Sequence, residues 1–148
     1  VPPLKLAPTH RWISAGEATD DIQVLTSIEL KSEALAEKSS LYWGHTKPGN
    51  CLSEGVIKIT GKDSWFNCIK LHKDRPAPSI TTQEQCFYHW SEPRNFTYGE
   101  FKRLGSFPDD YHAKTDKIGK YMIGMSVPPK MTEQVARAVC QQWLGVAP

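Results

Sequence analysis

Chelating cysteines are the first thing this sequence lacks. Cys51, Cys68, Cys86 and Cys140 are scattered over 148 residues, with no Cys-x-x-Cys. A structural zinc is held by closely spaced ligand pairs, so no metal is expected, and free thiols in a reducing cytosol are the reading that remains. No apolar run approaches the roughly 18–20 residues of a membrane span, so no membrane is expected as a partner. No charged-then-apolar leader of the signal-peptide kind opens the chain. It starts Val1-Pro2-Pro3 rather than with Met, as an excised piece or a processed start would. Internal repeats and low-complexity tracts are absent too. Strong charge of either sign is also missing, the formal net charge being +2.

What is present suits one domain, or a small domain with a C-terminal appendage. Hydrophobic residues make up 39% of the chain, enough for a limited core. Basic residues gather between positions 47 and 75, where Lys47, Lys58, Lys62, Lys70, Lys73 and Arg75 face Glu54, Asp63 and Asp74. Such a segment can track phosphates, releasing a counterion at each contact. An ordinary solvated face is the alternative, and charge alone favours it.

Pro2, Pro3 and Pro8 read as an extended lead-in. Residues 27–38 are helix-compatible, with Ile28 and Leu35 on a thin apolar face. Thr46-Lys-Pro-Gly49 marks a tight turn, because Pro presets φ and Gly accepts positive φ. From Cys51 to Leu71 the pattern predicts strands. Val56, Ile57 and Ile59 alternate roughly, Gly61-Lys-Asp63 supplies a turn, and Trp65, Phe66, Ile69 and Leu71 follow. Ser79–Thr82 and Cys86–Trp90 read as further short strands after the break at Asp74-Arg-Pro-Ala-Pro78. This half is expected to be mostly β and loop.

Beyond residue 93 the pattern turns helical. Thr97-x-x-Glu100 is a capping box, Phe101 and Leu104 supply a buried face, and Gly105 a stop. Pro128 and Pro129 suit a first helical turn. Met131, Val135, Val139 and Trp143, with Ala138 beside them, recur at helical spacing until Gly145.

Two stretches here resemble the last two sequence blocks of DNA cytosine-C5 methyltransferases. Arg94-x-Phe96-Thr97-x-x-Glu100-x-x-Arg103-Leu104-x-x-Phe107-Pro108 follows the family's penultimate block, with Phe96 in place of the common Leu. Gly124-Met-Ser-Val-Pro-Pro129 resembles the final block, with Met125 where Asn is usual. Upstream, Leu41-Tyr-Trp43, Thr46-Lys-Pro-Gly49 and then Asp74-Arg-Pro-Ala-Pro-Ser-Ile-Thr-Thr82 are similar to the family's target-recognition region, where a Pro-x-Pro-Thr-Ile/Leu stretch precedes the penultimate block.

The resemblance implies an α+β fold: a small irregular β-rich target-recognition domain over 1–93, and a helical segment over 94–148. The helices would pack on a Rossmann-like catalytic domain that binds S-adenosylmethionine. Arg94, Thr97, Glu100 and Arg103 are then expected in a structural network rather than in catalysis. Gly124, Met125, Ser126 and Val127 would line the methyl-donor pocket, a Gly-led turn allowing close approach and a helix N-terminus offering N–H donors to a carboxylate. Ser79 takes the place of a Thr that contacts the DNA backbone and keeps its hydroxyl. With Thr81 and the six basic residues it makes the expected DNA-binding set.

The family's Phe-x-Gly-x-Gly, Pro-Cys nucleophile, Glu-Asn-Val and Gln-x-Arg-x-Arg blocks have no counterpart in the sequence. Methylation needs a thiolate adding to a cytosine taken out of the helix. The expectation is therefore a recognition and closing segment of a DNA (cytosine-5-)-methyltransferase. It would be inactive without a catalytic half, whether in the same polypeptide or a separate subunit. The expected partners are duplex DNA, bound weakly and salt-sensitively, and that half. S-adenosylmethionine would bind only when it is present. The family setting is bacterial or phage restriction-modification, in the cytoplasm with DNA. A stand-alone DNA-binding regulator without methylation activity is the alternative, and a general protein-interaction module a third. The Met131/Val135/Val139/Trp143 face would invite docking or dimerisation.

Overall fold

The first regular element is set by a capping box, Ser14-x-x-Glu17, with the same spacing as the one at Thr97. In the computed structural model, which describes residues 2–7, 11–22, 31, 33–64, 68–82 and 87–145, it opens α1 (Ala15–Thr19). Ser14 Oγ accepts from Glu17 N–H at 3.2 Å, and the Glu17 carboxylate accepts from Ser14 N–H at 3.1 Å.

Two helices in mutual contact follow, α2 (Glu37–Gly44) and α3 (Ser53–Thr60). The strand expected over Val56, Ile57 and Ile59 is thus a helix. Val56 and the N-cap Leu52, one turn apart, are buried against Tyr42 and Tyr88, while Ile57 and Ile59 are exposed. β-branched residues favour strands only weakly, and here packing overrides that preference. Gly55 allows it: a Cβ there would lie 2.1 Å from the Tyr42 carbonyl oxygen. Gly61, at φ +68°, ends α3 in the left-handed conformation that only glycine adopts cheaply. Of the helix expected over 27–38, residues 27–30 and 32 lie outside the described residues, while Lys31 and Glu33 are helical. Leu35 and Ala36 are irregular, so α2 begins only at Glu37.

Sheet structure is slight. β1 (Ile69–Lys70) pairs in parallel with β2 (Phe87–Tyr88), Ile69 opposite Phe87 and Lys70 opposite Tyr88. Single antiparallel bridges extend it, Cys51 to Ile69, Tyr88 to Asn95 and Ala34 to Arg94. The β-rich expectation is corrected to a ragged ladder of one- and two-residue rows among helices. No strand forms over Ser79–Thr82, because its backbone packs against a helix instead of a neighbouring strand.

The closing part holds α4 (Tyr98–Leu104), α5 (Asp116–Met125) and α6 (Pro129–Val139), which continues as a π-helical turn, Cys140–Leu144. Thr97 and Glu100 form the expected capping box. Gly124, read as the head of a turn, sits in the last turn of α5. The main core joins Ala15, Leu71 and Phe87 to Phe96, Phe101 and Ile123, so its members come from both sides of position 93. At the far end Gln142 exchanges two hydrogen bonds with the Lys5 backbone, at 3.0 and 2.7 Å. Trp143 Nε1–H donates to the Pro2 carbonyl. Among the described residues no helix is long and apolar enough to cross a membrane.

Candidate nucleic-acid interface

Arg94 and Glu100 form a buried, two-pronged pair, with Nη1–Oε2 at 2.8 Å and Nη2–Oε1 at 3.0 Å. The Arg94 and Glu100 side chains are 7% and 6% exposed. Arg94 also donates to the Asn95 carbonyl and to Glu92. Glu100 accepts from Thr97 N–H and Oγ1–H. Burial works against the Arg94 charge, but the hydrogen bonds it donates to Glu100 and Glu92 outweigh it and raise its pKa. Arg103 lies apart from this pair, partly exposed, reaching Asp109 at 2.5 Å and Asp21 at 3.0 Å. The bidentate geometry fixes the entry of α4.

The basic residues divide by burial. Lys70 is 6% exposed, and its ammonium donates to the Trp43 and Thr46 carbonyls and lies 3.5 Å from the centre of the Trp43 ring. Burial lowers its pKa, the Glu54 charge opposing. Such an ammonium is held inside the fold, out of reach of a phosphate. Lys58 is paired with Glu54 at 2.6 Å. Glu54 also accepts from Lys47 N–H and Asn50 Nδ2. The hydrogen bond from Lys58 first, then those from Asn50 and Lys47, hold the Glu54 pKa at about 2.

Lys47, Lys62, Lys73 and Arg75 are exposed and have no carboxylate partner among the described residues. The turn at Gly49, φ +92°, is pinned to β1 by Gly49 N–H to Lys70 C=O at 2.7 Å and Lys70 N–H to Asn50 C=O at 3.0 Å. Arg75 crosses it, its Nη1 3.4 Å from where a Gly49 Cβ would lie. Arg75 is thereby brought to the turn that carries Lys47, two residues from Lys73 in the loop after β1. Sequence reading had not singled out His72, which joins them. Asp74 N–H donates to its Nδ1 at 3.1 Å, leaving Nε2 to carry the ring proton. Ser79 and Thr81 are exposed on the following extended segment.

At the final block Met125 and Val127 are 65% and 60% exposed. Ser126 Oγ donates to Met122 C=O at 2.6 Å. The expected anchoring of a carboxylate by the N-terminus of α6 has little to work with. Pro128 and Pro129 have no N–H, Lys130 N–H donates to Ser106 Oγ, and Met131 N–H donates to Pro128 C=O. Met125 and Val127 give this stretch an exposed apolar edge.

A groove of about 610 Å³ opens between α1, α4 and the turn at Ser106–Asp109. Its described walls carry Glu17, Asp21, Asp109, Arg103 and Lys130 but no His or Cys. No cluster of three or more metal-ligating side chains occurs among the described residues.

A family model described as "C-5 cytosine-specific DNA methylase" matches residues 15–141. The chain is 33% identical to the Type II methyltransferase M.BbvI of Brevibacillus brevis over 94% of its own length and 40% of that protein's. It is 32% identical to the putative Type II methyltransferase M.MJ0563P of Methanocaldococcus jannaschii over 77% of this chain and 34% of that one. A third relative, M.AquIB of Picosynechococcus, is 30% identical over 52% of this chain and 65% of its own. The chain thus spans about two fifths or less of the first relatives, but aligns with well over half of the third. No solved structure gives a significant match.

Proposed function

The chain belongs to the C-5 cytosine-specific DNA methylase family, and from that premise we propose that it is the recognition and closing segment of a DNA (cytosine-5-)-methyltransferase. Residues 1–93 would recognise duplex DNA and residues 94–148 would dock on a Rossmann-like catalytic half, a division of labour within one shared core. The carrying observation is the buried Arg94–Glu100 pair, a bidentate lock within the family-matched stretch. It is buried and built into the fold.

Phosphate contacts position such a protein, and base-edge contacts select its site. Lys47, Lys73 and Arg75 are the cations free to make the first kind, with Lys62, Ser79 and Thr81 beside them in sequence. Lys58 and Lys70 are engaged elsewhere. S-adenosylmethionine supplies the transferred methyl group when bound. Met125 and Val127 would give it an apolar wall, and the rest of its site would come from the catalytic half. We place the working enzyme in the cytoplasm with bacterial or phage DNA, in restriction-modification.

The test is transfer of labelled methyl groups to duplex DNA. We expect none from this chain alone and transfer once a half carrying the Phe-x-Gly-x-Gly and Pro-Cys blocks is added. Transfer by the lone chain would overturn the reading. Absence of those blocks upstream in the source reading frame, and in the neighbouring gene, would leave a DNA-binding regulator.

A further inference from the structure

The first N–H groups of a helix have no partner within it and usually go to a cap or to water. In α1 they go to the basic loop. Ala15 N–H donates to the Arg75 carbonyl at 2.8 Å and Gly16 N–H to the Lys73 carbonyl at 2.8 Å. The next, Glu17 N–H, goes to Ser14 Oγ. Carbonyls of the loop therefore help to cap the helix, and neither can move without the other.

Glycine at position 16 is part of the contact. A Cβ there would lie 2.6 Å from Lys73 Cγ, 3.1 Å from its Cε and 3.0 Å from its carbonyl oxygen. The Lys73 stem thus lies along α1 while the residue remains exposed, the arrangement that keeps a long cationic side chain directed and its head in water. On its other side α1 is fixed. Ala15, 1% exposed, sits in the core with Phe101 of α4, and Arg103 of α4 reaches Asp21 just beyond α1 at 3.0 Å.

We infer that α1 is the strut that holds the Lys73–Arg75 loop in DNA-binding geometry, with Ala15 and Gly16 as positioning residues. The inference rests on the reading that this chain contacts the DNA backbone. Within four residues the loop then presents the His72 imidazole, the Lys73 ammonium and the Arg75 guanidinium, steadied by α1 on one side and by the Gly49 turn on the other.

Anisotropy of a labelled duplex, titrated with the 148-residue chain at several salt concentrations, tests this. Lys73→Ala should weaken binding and lower the salt slope by about one. Gly16→Ala should do the same, by roughly fivefold at low salt, because its methyl group displaces the Lys73 stem. The Gly16→Ala/Lys73→Ala double variant should bind about as well as either single one, the signature of a shared contact. Parent-like affinity and slope in a folded Gly16→Ala protein, or fully additive losses, would overturn the inference.

Hydrogen exchange on the unmutated chain gives a second reading. The Ala15 and Gly16 amides should slow when duplex is added, and unchanged exchange there at saturation would also overturn it. If the unmutated chain binds no duplex at low salt, the recognition reading itself fails, and with it this inference.

Discussion

Gly124, in the last turn of α5, lies so close to Thr81 that a Cβ built on it would sit 2.2 Å from the Thr81 carbonyl oxygen and 2.5 Å from its carbonyl carbon. The final family block thus touches the backbone of the segment expected to meet DNA. The reason for glycine here is close approach within the fold, not the turn the sequence suggested.

Replacing Gly124 with Ala should therefore destabilise. In an exposed helix interior the change gains about 1 kcal/mol, whereas forcing a methyl against backbone costs about 1–3 kcal/mol. Urea unfolding should show a net loss for Gly124→Ala. A gain in stability would mean that α5 does not rest on Thr81.

Removal of Glu100 should be among the more damaging single changes. It leaves the Arg94 charge buried, and breaking a buried pair in this way costs about 3–5 kcal/mol, a fall of roughly 6 °C or more in Tm. Arg103→Ala, whose partner Asp109 is exposed, should melt close to the parent protein. Equal effects of Glu100→Ala and Arg103→Ala would contradict the division drawn between these two arginines.

Lys70 and Arg75 should separate cleanly when DNA binding and stability are measured together. Arg75→Ala should lower the salt slope by about one and leave the unfolding midpoint nearly unchanged. Lys70→Ala should lower the midpoint and leave the slope alone, since its ammonium is bonded to Trp43 and Thr46. A reduced slope for Lys70→Ala would place that residue on DNA after all.

His89 gives a pH dependence. Burial first, then the Arg94 charge, lowers its pKa from 6.5 to about 4. Its Nδ1 is engaged by the Ser91 and Glu92 amides. Between those values the unfolded chain binds a proton that the folded chain refuses. The stability is fully present above pH 6.5 and is lost as pH falls toward 4. His89→Asn, which keeps an acceptor near the Nδ1 position, should flatten the denaturation midpoint over that window. A parallel curve would show that His89 titrates normally.

Legibility in the sequence followed the range of the interactions. The Thr97–Glu100 box, the Pro128–Pro129 start and the Gly145 stop, at φ +65°, could be read because a cap is a contact between residues a few positions apart. The same rule would have found α1 through Ser14 and Glu17, which the sequence reading passed over. Val56, Ile57 and Ile59 misled because eight residues are too few to separate a helical period from an alternating one. Their helix depends on Gly55 meeting Tyr42, a contact that neither segment reveals alone.

By itself the sequence determined the family, the closing helices and their caps, since these rest on residue types at fixed local spacing. It could not decide which of six basic side chains remain free, because that depends on where a Trp43 ring, a Glu54 carboxylate and two carbonyls lie in space. Nor could it show that the first turn of α1 is bonded to the Lys73–Arg75 loop some 57–60 residues away. Backbone carbonyls are present in every residue, so only the tertiary fold can say which of them a free helical N–H will meet.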